Sequence, residues 1–291
     1  MPPTEFRAEP GHLYVVATPI GNLRDISLRA LDILKSVDGV AAEDTRISAQ
    51  LLAAYGIEAR LVACHEHNEA KAAEKLVARL QAGESIAYLS DAGTPGISDP
   101  GAALVRAVRA AGLPVTPLPG PSAAATAISV AGLAAPHWLF YGFLPVKAGA
   151  RRQVLAGLRD LPVALVFYEA PHRLAATLAD LAAELDGARE LLIARELTKR
   201  FESLHRCRLD AVLDWLSADA NHGRGEFVLV VDPPEVAPSA DWSAARQLLQ
   251  HLLAELSPSQ AARLAARITG LKKQALYDAA LAMRDKQTSD E

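Results

Sequence analysis

The chain has 291 residues, enough for two domains with real cores and perhaps a small appendage, and its 51% hydrophobic and 22% charged content is that of an ordinary globular protein. A net charge of −4 with a pI of about 6.1 excludes bulk electrostatic attraction to nucleic acid, so any such contact must come from local basic patches. Cys64 and Cys207 stand far apart in no Cys-x-x-Cys spacing, no apolar run is long enough to span a membrane, and Met1 to Gly11 lacks a secretory pattern; the expectation is a cytoplasmic protein with no structural zinc.

The first part alternates strand and helix. His12 to Ala17 reads as a strand, Ser27 as the N-cap of a helix through Val37, and Gly39 to Ala42 as a strand ending in Glu43-Asp44-Thr45-Arg46. A helix to Tyr55 follows, with Gly56 in the position that a left-handed cap favours. Arg60 to Cys64 is a third strand and Asn68 to Gln81 a helix. Two further strands, Ser85 to Leu89 and Leu113 to Leu118, each run into a turn rich in glycine and proline, Ser90 to Gly101 and Leu118 to Thr126. Asp99-Pro100 is expected to cap and open the helix after the first turn, and Gly112 to end it. Repeated strand-helix units imply a parallel sheet covered by helices, in a first domain of residues 1–132.

After Ala134-Ala135-Pro136-His137, read as a linker, strands are expected at Trp138 to Phe143, Pro162 to Tyr168, Glu190 to Arg195, Phe201 to Arg208 and Glu226 to Val231. Helices should begin near Lys147, Pro171 and Asp210. The close spacing of the last two strands implies antiparallel partners and hence a mixed sheet, in a second domain of residues 133–232. A proline-rich connector, Asp232 to Ser239, leads to a tail over 233–291 that reads as helical from Asp241. Ser257 opens one tail helix, Gly270 breaks it, and Leu271-Lys272-Lys273 begins another, as in a helix-turn-helix.

The two turns carry the chemistry. Side-by-side strand-turn-helix crevices are where open α/β sheets bind ligands, and dense glycine and proline let the backbone approach a flat ligand while Ser98, Ser122 and Thr126 offer small hydroxyls. Neither a Gly-Lys-Ser/Thr ending nor Gly-x-Gly-x-x-Gly is present, so an uncharged, adenosine-sized ligand fits better than a phosphate chain. The pair His65 and His67 lacks a third ligand, and no metal is expected. Two basic runs stand out. Arg263, Arg267, Lys272 and Lys273 lie between Ser257 and Tyr277 with no acid among them, and either pair with phosphates or form the solvated face of a small bundle. Arg195, Lys199, Arg200, Arg206 and Arg208 stand against Glu196 and Glu202, which an exposed sheet face would also explain.

Several stretches resemble the ribosomal small subunit methyltransferase I group of the tetrapyrrole methylase superfamily. They are Leu13 to Leu23, Glu43 to Arg46, His65 to Glu69, Ser90 to Gly101, Phe167 to Arg173, Ala194 to Lys199 and Gly225 to Val230, in order along the chain, and the helical tail is also similar. The resemblance implies two α/β domains of the tetrapyrrole methylase type, parallel N-terminal and mixed C-terminal, with a helical appendage. It further implies S-adenosylmethionine held between the domains, a homodimer, and methyl transfer to a cytidine ribose 2′-hydroxyl in the decoding region of 16S rRNA, within the small ribosomal subunit. Thr18-Pro19-Ile20-Gly21-Asn22 replaces the glycine-rich signature of porphyrin-methylating relatives, and Arg206 stands where many relatives have glycine.

The resemblance places the cofactor against Ile20, Gly93, Thr94, Ile97, Ser98, Ser122 and Ala123, with Tyr168, Leu197 and Thr198 closing the other side. For the chemistry, a ribose hydroxyl is helped by a general base. Glu43 and Asp44 are candidates because they end a central strand, with Arg46 to orient a phosphate or the carboxylate; Asp44 or Thr45 capping the next helix is the competing explanation. Two other functions stay open, a tetrapyrrole C-methyltransferase using the same cofactor and a noncatalytic RNA- or ribosome-binding protein.

Overall fold

Each strand of the first sheet is followed by a helix, and short connections force the strands to run the same way. The computed structural model describes residues 6–133, 136–234 and 242–287; the expected linker residues Ala134 and Ala135, Met1 to Glu5, and Glu235 to Asp241 of the connector and tail lie outside them. The chain divides at Pro234/Glu235 into two units.

In the first unit, β1 (Leu13–Val16), β2 (Gly39–Ala42), β3 (Leu61–Ala63), β4 (Ile86–Leu89) and β5 (Val115–Leu118) form a parallel sheet ordered β3-β2-β4-β1-β5. The intervening helices are α1 (Leu28–Ser36), α2 (Thr45–Ala54), α3 (Glu69–Gln81) and α4 (Ala102–Ala110), with α5 (Ala123–Ala131) after β5. Successive side chains of β1 and β4 enter different cores. Tyr14, Val16, Ala87 and Leu89 pack with Ile33, Leu34 and Leu52 on one face, while Leu13, Ile86 and Tyr88 pack with Leu76, Leu80 and Leu104 on the other.

Two expectations need correction here. The glycine-rich turns do not follow adjacent strands, because β1 lies between β4 and β5. They meet over the end of β1 instead: Thr18 and Gly93 exchange backbone hydrogen bonds of 2.8 and 3.1 Å, and Thr94 Oγ1 donates to the Pro121 carbonyl at 2.9 Å. Asp99-Pro100 does not open α4 either. Its N-cap is Gly101, and the Glu69 carboxylate of α3 accepts from the Gly101, Ala103 and Leu104 amides at 3.0, 2.7 and 3.0 Å. A charged oxygen on three otherwise unpaired amides caps this helix from outside its own sequence.

The second sheet comprises β6 (Trp138–Phe143), β7 (Ala164–Glu169), β8 (Glu190–Arg195), β9 (Ser203–Arg208) and β10 (Phe227–Val231), ordered β6-β7-β10-β8-β9. β6 and β7 are parallel and the remaining pairs antiparallel, the mixed sheet expected. One face packs Leu165, Phe167, Leu191, Ile193 and Leu229 against α6 (Ala148–Leu158), α7 (Leu174–Glu184) and α8 (Val212–Ala218). Pro171 stands in the turn before α7 rather than in its first turn, since the Arg173 and Leu174 amides both return to the Ala170 carbonyl. On the other face Val166, Leu192, Ala194, Val228 and Val230 pack against Ala124, Ala127 and Ala131 of α5. Thus α5 follows the first sheet in the chain and covers the second, its small side chains permitting close approach.

The second unit contains α9 (Trp242–Leu253), α10 (Pro258–Thr269) and α11 (Lys273–Gln287) around Leu249, Ala261, Ala265, Leu276 and Ala280. Gly270 ends α10 at φ 72°, the left-handed conformation that glycine adopts without strain. Among the described residues no helix is long and apolar enough to cross a membrane.

Candidate active site

The strand ends of both sheets open on one cavity of about 460 Å³. The first sheet supplies Ile20 after β1, Ala92 to Asp99 after β4, and Ser122 and Ala123 at the start of α5. The second supplies Phe143, Tyr168 to His172, Leu197 and Lys199 from the ends of β6, β7 and β8, and Glu226 to Val228 from the start of β10, which runs the opposite way and so begins at the same edge.

The structure brings nine of the ten residues expected at the cofactor into this cavity: Ile20, Gly93, Thr94, Ile97, Ser98, Ser122, Ala123, Tyr168 and Leu197. Thr198 is beside it without lining it, and its hydroxyl is buried with no partner. Gly93 has φ 80°, and a Cβ there would stand 3.3 Å from Ile20 Cγ2. Among the described non-glycine residues, positive φ occurs only at Ser98 (64°), Glu196 (50°) and Thr198 (67°), all in the two loops that border the cavity. Such conformations cost on the order of 1–3 kcal/mol each and persist where the surroundings over-determine them. Ser98 is held by the bulge of β6, where Gly142 approaches so closely that a Cβ would lie 2.8 Å from the Ser98 hydroxyl. Tyr168 packs edge-on to Phe140 with ring centroids 4.8 Å apart, and its hydroxyl accepts from the Ala124 amide at 3.1 Å, fixing the start of α5 against the second sheet.

The lining is largely apolar with a few hydroxyls. Lys199 is the one Lys or Arg in its lining, and Lys199 Nζ is already bridged to Glu196 at 3.0 Å and Glu226 at 2.7 Å. A phosphate chain would find no unpaired positive charge here. An adenosine with an uncharged sugar and a zwitterionic amino-acid arm would find apolar walls and hydroxyl partners.

Glu43, Asp44 and Arg46 do not reach the cavity. Asp44 is the N-cap of α2: its carboxylate accepts from the Arg46 amide at 2.8 Å and pairs with the Arg46 guanidinium at 2.6 Å, which holds its pKa at about 2. So low a value suits a cap and a fixed charge, not a proton acceptor near neutrality. Glu43 is half-buried behind the cavity. Burial raises its pKa, and the carboxylates of Asp91, Asp44 and Glu66 add to this, against a hydrogen bond from the Asp91 amide.

The residue that sequence reasoning missed is Asp99. It lines the cavity half-buried, and desolvation, reinforced by the charges of Glu43 and Asp91, pushes its pKa up to about 7. Its neighbour Pro100 made it look like a helix cap, a task that Glu69 performs.

His65 and His67 meet edge-on at 6.1 Å, and among the described residues no group of three or more His, Cys, Asp or Glu is arranged to hold a metal. The basic run on β8 and β9 is largely neutralised within the sheet. Arg206 pairs with Asp232 and with Glu190 (3.4 Å) and donates to the Ala131 carbonyl at the end of α5; Arg208 pairs with Asp210 at 2.5 Å. Arg195 donates to the backbone carbonyls of Arg224 and Phe201, and Arg200 lies over the Phe201 ring. With Glu196 and Glu202, the carboxylates of Glu190, Asp210, Glu226 and Asp232 outnumber the five cations. In the second unit, by contrast, Arg263, Arg267, Lys272 and Lys273 are exposed, and Arg263 and Arg267 share one face of α10 at four-residue spacing.

Comparison with known proteins bears on both units. Residues 12–213 match the family of Tetrapyrrole (Corrin/Porphyrin) Methylases, and residues 239–284 match the RsmI C-terminal HTH domain. The chain is 50% identical over 279 residues to the ribosomal RNA small subunit methyltransferase I of Pseudomonas aeruginosa, covering 95% of this chain and 99% of that protein. It is 50% identical over 277 residues to the protein of the same name from Neisseria meningitidis serogroup B, covering 95% of each. Among solved structures it is similar to uroporphyrin-III C-methyl transferase from Thermus thermophilus complexed with S-adenyl homocysteine, with a TM-score of 0.53 and 18% identity over 76% of this chain and 97% of that one. At that identity the likeness concerns the fold.

Proposed function

The chain belongs to the tetrapyrrole (corrin/porphyrin) methylase family, within its ribosomal RNA small subunit methyltransferase I group, and from that premise we propose that it transfers a methyl group from S-adenosylmethionine to a cytidine ribose 2′-hydroxyl in the decoding region of 16S rRNA. The observation that carries the reading is the cavity, whose apolar walls and hydroxyls suit the cofactor and whose one amino-group cation is already neutralised.

In this reading residues 1–132 and 133–232 act as two α/β domains and 233–291 as linker and helical tail. Ile20, Ile97, Ala123 and Leu197 hold the apolar parts of the cofactor, and Thr94, Ser98, Ser122 and Tyr168 its polar edges. The bound cofactor supplies an electrophilic methyl group on a sulfonium, which needs no metal. The protein's task is then to orient the hydroxyl and exclude water, and in favourable cases positioning alone lowers a barrier by roughly 7–11 kcal/mol. Glu43 acts from behind the cavity, where its carboxylate fixes the Asp91 amide at the root of the first turn. The exposed tail residues Arg263, Arg267, Lys272 and Lys273 meet RNA phosphates, with Arg200 contributing from the loop after β8. The substrate is the small ribosomal subunit or its RNA, and the enzyme works in the cytoplasm as a homodimer.

The test is to incubate the protein with radiolabelled S-adenosylmethionine and either naked 16S rRNA or small ribosomal subunits, then map the label. Methyl groups on a base, or no label in either RNA, would remove this reading; label on a porphyrinogen instead would favour a tetrapyrrole substrate.

A further inference from the structure

Four planar rings line the cavity, those of Phe143, Tyr168, His172 and Phe227, and they are engaged to different degrees. Phe227 is buried in the core of the second sheet, and the Tyr168 hydroxyl accepts from the Ala124 amide. Phe143 and His172 are exposed, Phe143 to 49%. Single exposed apolar side chains are ordinary on a protein surface, but this one stands in the wall of a ligand cavity.

The backbone is built to put it there. Along β6, Leu139 packs against the core beneath α6, α7 and α8 and Phe140 against the core beneath α5, so strict alternation would turn Phe143 under α6 to α8. The register with β7 instead slips between Phe140 and Gly142, with Gly142 at φ 82°, and the extra residue sets Phe143 opposite Tyr168 on the cavity side. The two rings meet edge to face with centroids 5.7 Å apart, which fixes the orientation of Phe143.

The chain that follows is anchored as well. Arg151 donates to the carbonyls of Pro145 and Val146 at 3.3 and 3.1 Å and pairs with Asp180 at 2.6 Å. His172 sits in a turn held in the same manner, since Glu169 accepts from the Ala170 amide and the Thr177 hydroxyl and lies 3.2 Å from Arg173 Nε. Arg173 also donates to the Leu144 carbonyl, and so joins the turn of His172 to the residue after Phe143.

What covers these rings follows from the reaction. In a ribonucleotide the base is bonded to the carbon next to the one that carries the 2′-hydroxyl, so a hydroxyl brought to the methyl donor brings its base to the wall of the same cavity. Single-stranded RNA is bound with its bases splayed out and stacked on aromatic and histidine rings. We propose that Phe143 and His172 form the stacking platform for the base of the nucleotide that is methylated, and thereby position its ribose for transfer. The assignment rests on the methyltransferase reading above and names the residues that would hold its substrate.

Phe143→Leu is the decisive variant, because it keeps an apolar side chain and removes the flat face. On the full-length protein, kcat/KM for small ribosomal subunits should fall about 10–100-fold, the loss of one base–aromatic stack, while Phe143→Tyr stays within about threefold of wild type. Calorimetric affinity for S-adenosylmethionine should stay within about threefold in both. His172→Phe, which keeps a ring but can neither give nor take a proton, should retain transfer, whereas His172→Ala should lose about tenfold. One readout needs no turnover. Ultraviolet irradiation of the protein with subunits rebuilt from 16S rRNA transcribed with 5-iodocytidine should crosslink RNA to the peptide that contains Phe143, and Phe143→Leu should lose that crosslink.

Transfer by Phe143→Leu within threefold of wild type overturns the proposal. So does an equal loss of cofactor affinity, which would place the adenine of the cofactor on this ring, or a set of crosslinks confined to the tail. Loss of transfer in His172→Phe overturns its half of the platform and makes the imidazole a polar contact. If Phe143→Leu does not fold by circular dichroism, Phe143→Met, also apolar and without a flat face, replaces it under the same criteria. Wild-type protein that labels neither RNA removes the functional reading itself, whereas labelled RNA with an equally active Phe143→Leu removes the platform alone.

Discussion

In the cleft, Asp99 is drawn partly out of water beside two further carboxylates, while in the tail Arg263, Arg267, Lys272 and Lys273 stand in water with no acid between Ser257 and Tyr277. Burial makes the first charge costly and so able to accept a proton near neutrality; exposure leaves the others ionised and available to a polyanion. The run on β8 and β9 shows that position in the chain does not decide between these states. There Arg206 and Arg208 belong to a basic run as conspicuous in the sequence as that of the tail, yet they are paired with carboxylates beside their own sheet.

The contrast between cleft and tail can be broken at either end. The largest effect is expected in the cleft from Gly93→Val: a β-branched side chain at φ 80° facing Ile20 should weaken S-adenosylmethionine binding at least about 100-fold, roughly 2.8 kcal/mol, while circular dichroism shows a folded protein. Normal calorimetric binding by the folded variant would displace the cofactor from this turn. In the tail, Lys272→Ala with Lys273→Ala should weaken subunit binding about tenfold at moderate salt. Each lost phosphate contact should also flatten the slope of log K against log salt by about 0.7–0.9, with cofactor affinity untouched. An unchanged slope would make the tail a face that packs only on itself.

Smaller effects sharpen the comparison. Arg208→Ala, which removes a cation already held by Asp210, should leave both the salt slope and the affinity within about twofold; a tail-sized change would return β9 to the RNA interface. Asp44→Asn should be the mildest. Asparagine caps a helix about as well as aspartate, so turnover and melting temperature should stay near wild type, whereas Asp44→Ala should lower the melting temperature by a few degrees. A turnover loss of about 100-fold or more in Asp44→Asn, with cofactor affinity unchanged, would restore Asp44 as the base.

Much of the architecture was legible because it rests on local order. Strand β2 was placed to the residue, Gly39–Ala42, by a short apolar run that opens on glycine and has charge after it, and α1 by Ser27, whose hydroxyl does accept from the Ala30 amide. The cavity wall was legible too, since Gly93, Ser98 and Ser122 sit in turns whose composition announces close backbone approach. Asp99 was hidden by its own neighbour: an Asp-Pro pair before an alanine-rich run signals a helix start, and nothing nearby reveals that Glu69, more than thirty residues earlier, holds those amides.

By itself, then, the sequence determined the elements, their alternation, the two glycine-rich turns and the locations of the basic runs, because propensity, periodicity and turn chemistry act over a few residues. The tertiary structure alone decided the state of each charge. It set Asp91 and Glu43 beside Asp99, carried Asp232 to Arg206 across 26 positions of chain, and left Lys272 and Lys273 exposed. The energy of an ion depends on how much water it keeps and which charges approach it through space, and the order of residues along the chain encodes neither locally.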